Sequence, residues 1–599
     1  MKKIFSLCAP FRNPGRGAVL LLAGMVLISG CSKFLDRQPL SQISPANGFN
    51  SESELLLYVQ SFYDKMLPNA DNEDNGFTSL YTESSDNVVT NTLGPQLTGN
   101  RTVPVSGGGW DWTNLRNINY FLANYGRGGL DTSITYKYVA VAKFFRAYFY
   151  SNMVAHFGDV PWYSQVLESN NTAGLNRKRD SRVLVMDSVL QDIDFAIAHL
   201  SKTVNVAQVT AWTALALKSR FCLFEGTFRK YHTEFNLPDA GSFLQQSADA
   251  AGTLIGSGVY TVYKSSPEIA YRDLFASPTV IGSEVILARQ YSSAAQISHN
   301  VNYYTISPSF GKPGLEKKLV NSYLMADGSR FTDIPGYDTI SFYNETQNRD
   351  PRLSQTIRTP GYMRLDGTVE LPPSYGSTVS GYQLIKFVTG SSGDALAKDY
   401  NPLPIFRYAE VLLNFAEAKA ELGTLTQSDI DGSIKNLRDR VNMPNMSLAA
   451  ANVNPDAYLA GQYTHVSGTN AGIILEIRRE RRIELAVEGF RWNDLMRWKE
   501  GHLLALQYKG AYFPSPGSYD LDGNGSIDLV IYTGTQPTAP GPQYLQLGVD
   551  IVLENGSAGG PIVINGTIPK KFTENRDYLF PIPTQEILLN PQLTQNPNW

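Results

Sequence analysis

Oxygen-bearing side chains alternate with other residues along the segment 520–528, a spacing that is suited to binding a calcium ion. The five residues that provide these oxygen atoms are Asp520, Asp522, Asn524, Ser526 and Asp528. Gly525 occupies the sixth position, where EF-hand loops need a glycine for a sharp turn. Position twelve is Ile531 instead of a bidentate glutamate, so a further ligand would have to come from elsewhere in the fold. We expect Ca²⁺ at this loop and no organic cofactor; the alternative is a solvated acidic turn that needs no metal.

Two glutamate-rich segments, 406–421 and 476–498, carry acids of the kind that a glycosidase uses as its acid and base. Helical spacing places some of them on a face shared with apolar residues; these are Glu410, Glu417, Glu421, Glu484 and Glu488. Arginines stand three or four residues away, as Arg481 does from Glu484, and such a neighbour keeps a carboxylate ionised. A general acid needs the opposite environment, one that raises its pKa. We therefore interpret these residues as an interhelical ion-pair lattice. We predict that the chain has no catalytic residue and is not an enzyme.

The loop at 71–116 combines aromatic rings with amide and charged side chains. A sugar packs its C–H face on an aromatic ring, while its hydroxyl groups need polar partners. The candidate ligand-binding residues of this loop are Tyr81, Asp86, Asn87, Arg101, Trp110 and Trp112, accompanied by Asn91 and Asn100; Tyr303, Tyr304 and Tyr375 are secondary candidates from later loops. Loop aromatics also serve as core residues, and this is the stronger interpretation for Trp112, which opens an apparent helix.

Residues 1–30 have the composition of an export signal. Four basic residues precede an apolar run at 18–28, which is shorter than the roughly 20 residues that a membrane span needs. The run ends in Ile-Ser-Gly-Cys at 28–31, which resembles the lipobox of bacterial lipoproteins. We expect residues 1–30 to be removed and Cys31 to carry the lipid, generally with more than one acyl chain for stable anchoring. The alternative is an ordinary signal peptide that has a cysteine nearby.

Charge and cysteine content exclude several classes of function. The chain has 599 residues and a formal net charge of −4, which becomes −8 when the four basic residues of 1–30 are removed. An acidic chain without a long Lys/Arg cluster argues against nucleic acid and against anionic headgroups as partners. Cys8 belongs to the signal and Cys31 to the lipid anchor, so Cys222 has no partner for an intrachain disulfide.

Helical periodicity alternates with long irregular stretches after residue 44. Helices are predicted at 52–66, 112–124, 132–156, 182–200, 209–230, 241–256, 407–422, 427–441 and 472–499. The irregular stretches 67–111, 257–405 and 500–580 are too long to be simple connections, and short strands are expected at 285–288 and 382–385. The helices would stack as a loose solenoid of hairpins, which makes the fold mainly α with an irregular region at its side.

Several motifs resemble those of the SusD/RagB family and follow one another in the family's order over nearly the whole mature chain. Besides the segments around Arg407 and Arg482, they are FLD at 34–36, FFRAYFY at 144–150, HFGDVP at 156–161, NRDPRL at 348–353, YLFPIPTQEI at 578–587 and NPQLTQNP at 590–597. The resemblance implies a superhelix of four tetratricopeptide-like helical hairpins that carries a loop-rich region with short strands. It implies a tether at 31–44 and a single SusD-like domain over 45–599.

The resemblance also implies a function. Proteins of this family are lipoproteins of the outer membrane that face the cell exterior, bind an oligosaccharide or polysaccharide, and deliver it to a SusC-like TonB-dependent transporter. Two alternatives remain open: a helical-repeat scaffold subunit of the importer without glycan selectivity of its own, and a secreted glycosidase. The paired carboxylates argue against the glycosidase, and the aromatic loops are not explained by the scaffold.

Overall fold

The computed structural model describes residues 48–69, 85–168 and 170–599. The predicted signal at 1–30, the lipidation residue Cys31, the tether at 31–44 and the candidate Tyr81 lie outside the described residues. Within the described ranges, none of the helices combines the length and the hydropathy of a membrane span.

Helices account for most of the regular structure. In chain order they are α1 (Glu52–Met66), α2 (Pro95–Thr98), α3 (Thr113–Asn124), α4 (Thr132–Phe157), α5 (Thr172–Leu175), α6 (Arg182–His199), α7 (Ala211–Tyr231), α8 (Ala240–Gly256), α9 (Ala270–Ala276), α10 (Val301–Ile306), α11 (Lys317–Ser322), α12 (Phe342–Glu345), α13 (Pro351–Ser354), α14 (Tyr408–Leu422), α15 (Gln427–Gly432), α16 (Ile434–Arg440), α17 (Leu448–Val453), α18 (Ala457–Gln462), α19 (Ala471–Glu484), α20 (Arg491–Arg497) and α21 (Thr584–Leu589). Seven of the nine predicted helices are present with ends within two residues of the predicted ones.

The long helices stack side by side as hairpins. Helices α1 and α3 pack on α4, α4 packs on α6, and the stack continues through α7, α8 and α14 to α19. Asp131, Ser181 and Thr210 begin α4, α6 and α7, where their side chains accept hydrogen bonds from backbone N–H groups of the first turn. Helix α7 is buried on almost every side, which is expected of a helix in the middle of such a stack. The predicted mainly α fold is confirmed.

Short strands lie in the stretches that the sequence predicts to be irregular. They are β1 (Val88–Val89), β2 (Val285–Arg289), β3 (Gly314–Leu315), β4 (Leu403–Arg407), β5 (Tyr508–Phe513), β6 (Gly517–Tyr519), β7 (Leu529–Tyr532), β8 (Gln543–Gln546) and β9 (Gly560–Ile564). The antiparallel pairs are β1–β3, β2–β4 and β5–β9, while β7 pairs antiparallel with β6 and parallel with β8.

One strand prediction is confirmed and one is wrong. The strand expected at 285–288 is β2. The strand expected at 382–385 does not form, because Gln383 and Leu384 make isolated bridges to two different segments, at Gly314 and Ile357. Each of these contacts is a single bridge that does not extend into a ladder.

Two predicted helices are interrupted. The segment 427–441 divides at Ser433, whose φ of −127° and ψ of −88° are not helical, into α15 and α16. The segment 472–499 divides into α19 and α20. Between these two helices, Val487 has a φ of 61° and Gly489 a φ of 79°, left-handed conformations that a right-handed helix does not contain.

The break after α19 frees backbone carbonyl groups for long-range hydrogen bonds. The carbonyl oxygen of Glu484 accepts from Arg407 Nη2 at 2.7 Å and from the Tyr271 hydroxyl at 2.7 Å. The carbonyl oxygen of Ala486 accepts from Lys386 Nζ at 2.6 Å. The side chains of Arg407, Tyr271 and Lys386 thus satisfy carbonyl groups that have no helical N–H partner after the break.

Two large hydrophobic cores lie on either side of α19. The helical core contains Ile473 and Ile477 of this helix, together with side chains of α1, α3, α4, α6, α7, α8 and α14. The core of the loop-rich region contains Leu475 and Ile483, together with side chains of the short strands. Helix α19 is therefore shared by the two cores, and its charged side chains must be buried with it.

Candidate functional site

Glu484 lies at the centre of a buried cluster of ion pairs. Its Oε1 accepts hydrogen bonds from Arg407 Nη1 at 2.7 Å and from Arg440 Nη2 at 2.5 Å, and its Oε2 accepts from Arg352 Nη1 at 3.0 Å. Burial by itself raises the pKa of a carboxyl group, but the charges of Arg440, Arg407 and Arg352 outweigh it and hold the pKa of Glu484 well below its ordinary value. Glu484 therefore cannot serve as a general acid.

Glu417 on α14 forms a second buried cluster. Its Oε1 accepts from Arg497 Nη1 at 2.5 Å and from the Trp498 indole at 2.7 Å, and its Oε2 accepts from Arg497 Nη2 at 2.8 Å. Burial raises the pKa of Glu417, but the charge of Arg497 and its hydrogen bonds prevail and lower it to about 2. These bonds join α14 to α20, so the predicted interhelical ion-pair lattice is confirmed.

The partners within the lattice differ from those that the spacing predicts. Arg481 pairs with Asp494 at 2.9 Å and not with Glu484, which lies three residues away. Glu488 pairs with Arg407 at 2.7 Å. The predicted pair of Arg481 with Glu484 does not form, because Glu484 is bound by Arg352, Arg407 and Arg440 from other elements.

Two other buried acids, Glu476 and Asp399, differ from the lattice glutamates in the direction of their pKa shift. Burial raises the pKa of Glu476 and of Asp399. Glu476 accepts a hydrogen bond from Arg479 at 2.6 Å, and Asp399 accepts from the Asn302 N–H and the Thr389 hydroxyl at 3.1 Å each. Neither residue lines the cavity between α4, α7, α14 and α20 that is described below. Their raised pKa values therefore come from burial within structural contacts.

Asp86 and Asn87, predicted to contact a glycan, are 0% and 4% exposed. Asp86 accepts hydrogen bonds from Arg482 Nη2 at 3.0 Å and from Arg491 Nε at 2.6 Å, and Asn87 Oδ1 accepts from Arg482 Nε at 2.7 Å. Burial raises the pKa of Asp86, but the charges of Arg491 and Arg482 hold it well below its ordinary value. The predicted glycan contact is wrong for these two residues, because they fasten the segment before β1 to α19 and α20.

The two tryptophans of the predicted platform pack inside the protein. Trp110 is only 6% exposed and makes edge-to-face contacts with Trp112 at 5.2 Å and with Phe157 at 4.9 Å between ring centroids. Trp112 is half-buried, and its ring contacts Phe149 and Tyr163 in the same way. The packing interpretation applies to both residues, so the prediction of Trp110 as a stacking platform is corrected.

Arg101 and Tyr375 are also interior residues, 8% and 7% exposed. Arg101 Nη1 donates to the Asp577 carbonyl at 2.7 Å, and its guanidinium lies 4.1 Å from the Phe580 ring centroid. Burial lowers the pKa of Arg101 to about 10. The Tyr375 ring packs beside Phe513. Both side chains stabilise the fold, so neither presents a surface to a ligand.

Tyr303 and Tyr304 come together with Phe310, which is not among the residues predicted from the sequence. The ring centroids of Phe310 lie 5.5 Å from Tyr303 and 4.3 Å from Tyr304. Both tyrosines are half-buried, whereas Phe310 is 42% exposed. The Asn91 N–H donates to the Gly311 carbonyl at 2.8 Å, which places Asn91, whose side chain is exposed, beside the residue that follows Phe310. We call Tyr303, Tyr304 and Phe310 the aromatic cluster.

The loop between β6 and β7 brings together three of the five predicted calcium ligands. Carboxylate oxygens of Asp520, Asp522 and Asp528 lie within 4.8 Å of one another. Burial, together with the charges of Asp522 and Asp520, raises the pKa of Asp528. Gly523 and Gly525 have φ values of 80° and 85°, so the turn that gathers the carboxylates depends on glycine.

The other two predicted ligands are placed differently. Asn524 Nδ2 donates to Asp522 Oδ2 at 3.0 Å, and Asn524 Oδ1 accepts from the Ser526 N–H at 2.7 Å. The Ser526 side chain is exposed. A cation held here would therefore be bound mainly by the three aspartates, whose mutual repulsion it would relieve.

Comparison with known proteins identifies the family. Residues 283–599, slightly more than half of the chain, match the sequence model of the SusD family. The chain belongs to the SusD family. Residues 77–212 match a second model, described as starch-binding associating with outer membrane. The family predicted from the sequence motifs is confirmed, and the two matches between them cover both the helical and the loop-rich regions.

Individual relatives share the family at low sequence identity. SusD-like proteins P2 and P38 of Formosa agariphila are 21% and 23% identical, over 80% of this chain and 90% of each relative. A crystal structure of a SusD-like carbohydrate binding protein from Bacteroides fragilis matches with a TM-score of 0.67 at 22% identity, covering 91% of this chain and 99% of that one. A structure of a laminarin binding SusD-like protein matches with a TM-score of 0.56 at 19% identity, covering 92% and 100%. At these identities the structures establish the fold.

Proposed function

We propose that this SusD-family chain is a cell-surface glycan-binding protein and that the aromatic cluster is its glycan contact. The observation that carries the proposal is the Phe310 ring, 42% exposed and held against two half-buried tyrosines. A ring fixed in this way offers a face to the C–H groups of a sugar and loses little side-chain entropy on binding. The Asn91 amide beside it supplies a donor and an acceptor for hydroxyl groups.

The ligand class is supported by related structures. Two solved proteins of the same fold carry the descriptions carbohydrate binding and laminarin binding. The matched family model at 77–212 is described as starch-binding. An oligosaccharide or polysaccharide is therefore the ligand that we infer for this chain.

We further infer that the protein acts at the outer membrane with a SusC-like TonB-dependent transporter. The lipobox-like sequence at 28–31 supports a lipid anchor on Cys31, and the family model description supports association with the outer membrane. The protein would capture a glycan at the cell exterior and deliver it to the transporter. In the competing scaffold hypothesis, the chain binds the transporter but no glycan.

Binding without catalysis is part of the proposal. Glu417 and Glu484 are ionised and saturated with arginine hydrogen bonds, so neither provides the proton that glycosidic cleavage needs. The function we propose therefore ends with the release of an intact glycan to a partner.

A glycan array probed with the purified full-length protein tests the proposal, followed by calorimetry on the best ligand. Phe310→Ala should weaken binding by about 2 kcal/mol, roughly thirtyfold, if the ring is a hot spot. The control is Tyr343→Ala, an aromatic residue 37% exposed outside the cluster, which should bind normally. Failure of the wild type to bind any glycan would favour the scaffold, shorter products after long incubation would favour the glycosidase, and unchanged affinity of Phe310→Ala would exclude the cluster.

We also propose that Asp520, Asp522 and Asp528 bind Ca²⁺. The proposal is supported by the alternating ligand spacing and by the proximity of the three carboxylates. Such an ion would fix the loop between β6 and β7, and so stabilise the region around it instead of taking part in any reaction.

A further inference from the structure

A cavity of about 310 Å³ opens between α4, α7, α14 and α20, where the helical hairpins leave a concave surface. Its wall includes Tyr148 and Asn152 of α4, Arg220 and Phe224 of α7, and Phe490 and Asn493 at the start of α20. The residues that line it include none of the aromatic cluster. The cavity is therefore a separate place at which a small molecule can be enclosed, since binding pockets begin at about this volume.

The charges around this cavity are compensated by one another. Arg220 forms a two-fold hydrogen-bonded pair with Glu410, at 2.6 Å from Nε to Oε1 and 2.7 Å from Nη2 to Oε2. The deeper Arg481 pairs with Asp494 at 2.9 Å. Because these charges already have partners, the cavity offers no unpaired charge that would attract an ion. A neutral ligand fits this arrangement.

Several hydrogen-bonding groups in the wall remain available. Arg220 Nε donates to Glu410, and Arg220 Nη2 donates to Glu410 and to the Ile405 carbonyl. Arg220 Nη1 donates no hydrogen bond within the part of the chain that the structure describes. The side chain of Arg220 is 24% exposed. The amide side chains of Asn152 and Asn493 lie at the exposed rim. Together these groups offer hydrogen-bond donors next to hydrogen-bond acceptors.

Rings enclose the same space. The guanidinium of Arg220 lies 3.8 Å from the Phe406 ring centroid and 5.1 Å from that of Phe490, so the polar fork is held rigidly between rings. Phe224 and Phe490, both half-buried, add apolar wall. A ligand here must therefore carry several hydroxyl groups and also apolar C–H surface.

We propose that this cavity binds one neutral sugar ring, a second carbohydrate site apart from the aromatic cluster. A pyranose has the required combination of adjacent hydroxyls and a C–H face, and a rigid guanidinium next to a carboxylate suits a pair of neighbouring hydroxyls. The volume of about 310 Å³ is sufficient for one ring. The choice of a sugar among neutral polar molecules rests on the proposed function.

Saturation-transfer NMR tests the inference with the purified full-length protein and the methyl glycosides of glucose, galactose and mannose, each titrated alone. The double variant Asn152→Ala with Asn493→Ala removes two exposed rim amides, and exposed substitutions of this kind usually change stability by no more than about 0.5 kcal/mol. It should weaken binding of the preferred glycoside by about tenfold or more. Arg220→Lys keeps the charge that Glu410 needs but removes the free Nη1, and should weaken binding as well. Val549→Ala, at a residue 70% exposed, is the control.

The outcomes separate this inference from the proposed function. Wild-type protein that binds none of the three glycosides, or that binds one with undiminished affinity in both cavity variants, would overturn the cavity site. If Phe310→Ala alone abolishes glycoside binding, the sugar occupies the aromatic cluster and the cavity inference fails while the proposed function stands. If the cavity variants alone lose glycoside binding and the array detects no oligosaccharide, the cavity site stands and the aromatic cluster proposal fails.

Discussion

Arg407 hydrogen-bonds to Glu484 twice, donating from Nη2 to its backbone carbonyl and from Nη1 to its side chain, each at 2.7 Å. The carbonyl is free to accept because α19 ends at Glu484. Arg407 itself stands at the junction of β4 and α14. The pair therefore links the end of one helix to the beginning of another, and both residues are buried.

Glu484→Gln should destabilise the protein without impairing glycan binding per folded molecule. The substitution removes the negative charge that three buried arginines share, and breaking such a buried pair costs about 3–5 kcal/mol. Urea unfolding measures the loss. The control is Glu370→Gln at an exposed acid, which should change stability by no more than about 0.5 kcal/mol. A stability of Glu484→Gln equal to that of the control would disprove the role of the cluster.

Acid should weaken the fold through Glu417. Its folded pKa of about 2 lies below the ordinary value of 4.5, so the unfolded chain takes up a proton first. The stabilisation is fully present above pH 4.5 and is lost as the pH falls towards 2. Urea unfolding at pH 7, 4.5 and 3 measures this dependence in the wild type and in Glu417→Gln. The variant should be less stable at pH 7 and lose less on acidification; parallel curves would contradict the assignment.

Trp110→Ala should act on stability and not directly on ligand contact. The ring is almost fully buried between Trp112 and Phe157, and removing such a side chain costs about 3–5 kcal/mol. Phe310→Ala removes a partly exposed ring. It should therefore lower stability much less than Trp110→Ala does, and weaken glycan binding more. Thermal melting and calorimetry on both variants measure the contrast. If Trp110→Ala melts at the wild-type temperature but loses affinity for the glycan, the binding platform lies in the 71–116 loop.

Calcium should raise the melting temperature, and Asp522→Asn should abolish the effect. At about one hundred times the dissociation constant, a ligand that binds only the folded state stabilises it by about 2.7 kcal/mol. Melting in calcium and after chelation with EGTA measures the shift, with Asp338→Asn as an exposed acid outside the loop. A wild-type melting temperature that does not respond to calcium would leave the loop as an acidic turn without metal.

Cys31→Ala should prevent lipidation and processing at the lipobox-like sequence. In cells fed a fatty-acid analogue, the wild type should be labelled and the variant should not. Cys222→Ala is the matched control, since Cys222 is fully buried. Equal labelling of wild type and Cys31→Ala would rule out this residue as the anchor.

The sequence was sufficient for the helices because their signals are local. Apolar periodicity and caps such as Asp131 and Thr210 define α4 and α7 within a few residues. The break after α19 is marked locally only by Gly489, because the apolar periodicity continues through Val487. The left-handed conformation of Val487 is compensated by Arg407 and Lys386, which come from 80 and 101 residues earlier in the chain.

The candidate site was predicted less well, for a related reason. Asp86 and Asn87 look like surface residues because polar side chains in loops usually are, but their partners Arg482 and Arg491 are about 400 residues away and draw them inside. The sequence did contain a signal for Phe310. It is the third aromatic residue within eight residues, after Tyr303 and Tyr304, and it is followed by Gly311.

The position of α19 between two hydrophobic cores has a consequence for how the protein unfolds. Ile473 and Ile477 belong to one core, and Leu475 and Ile483 of the same helix belong to the other. Neither half can melt without exposing a helix that the other half needs, so the two are thermodynamically one unit. We expect a single cooperative transition with equal calorimetric and van't Hoff enthalpies, despite a chain length at which separate transitions are common. A pulling force applied at either end would likewise meet one barrier.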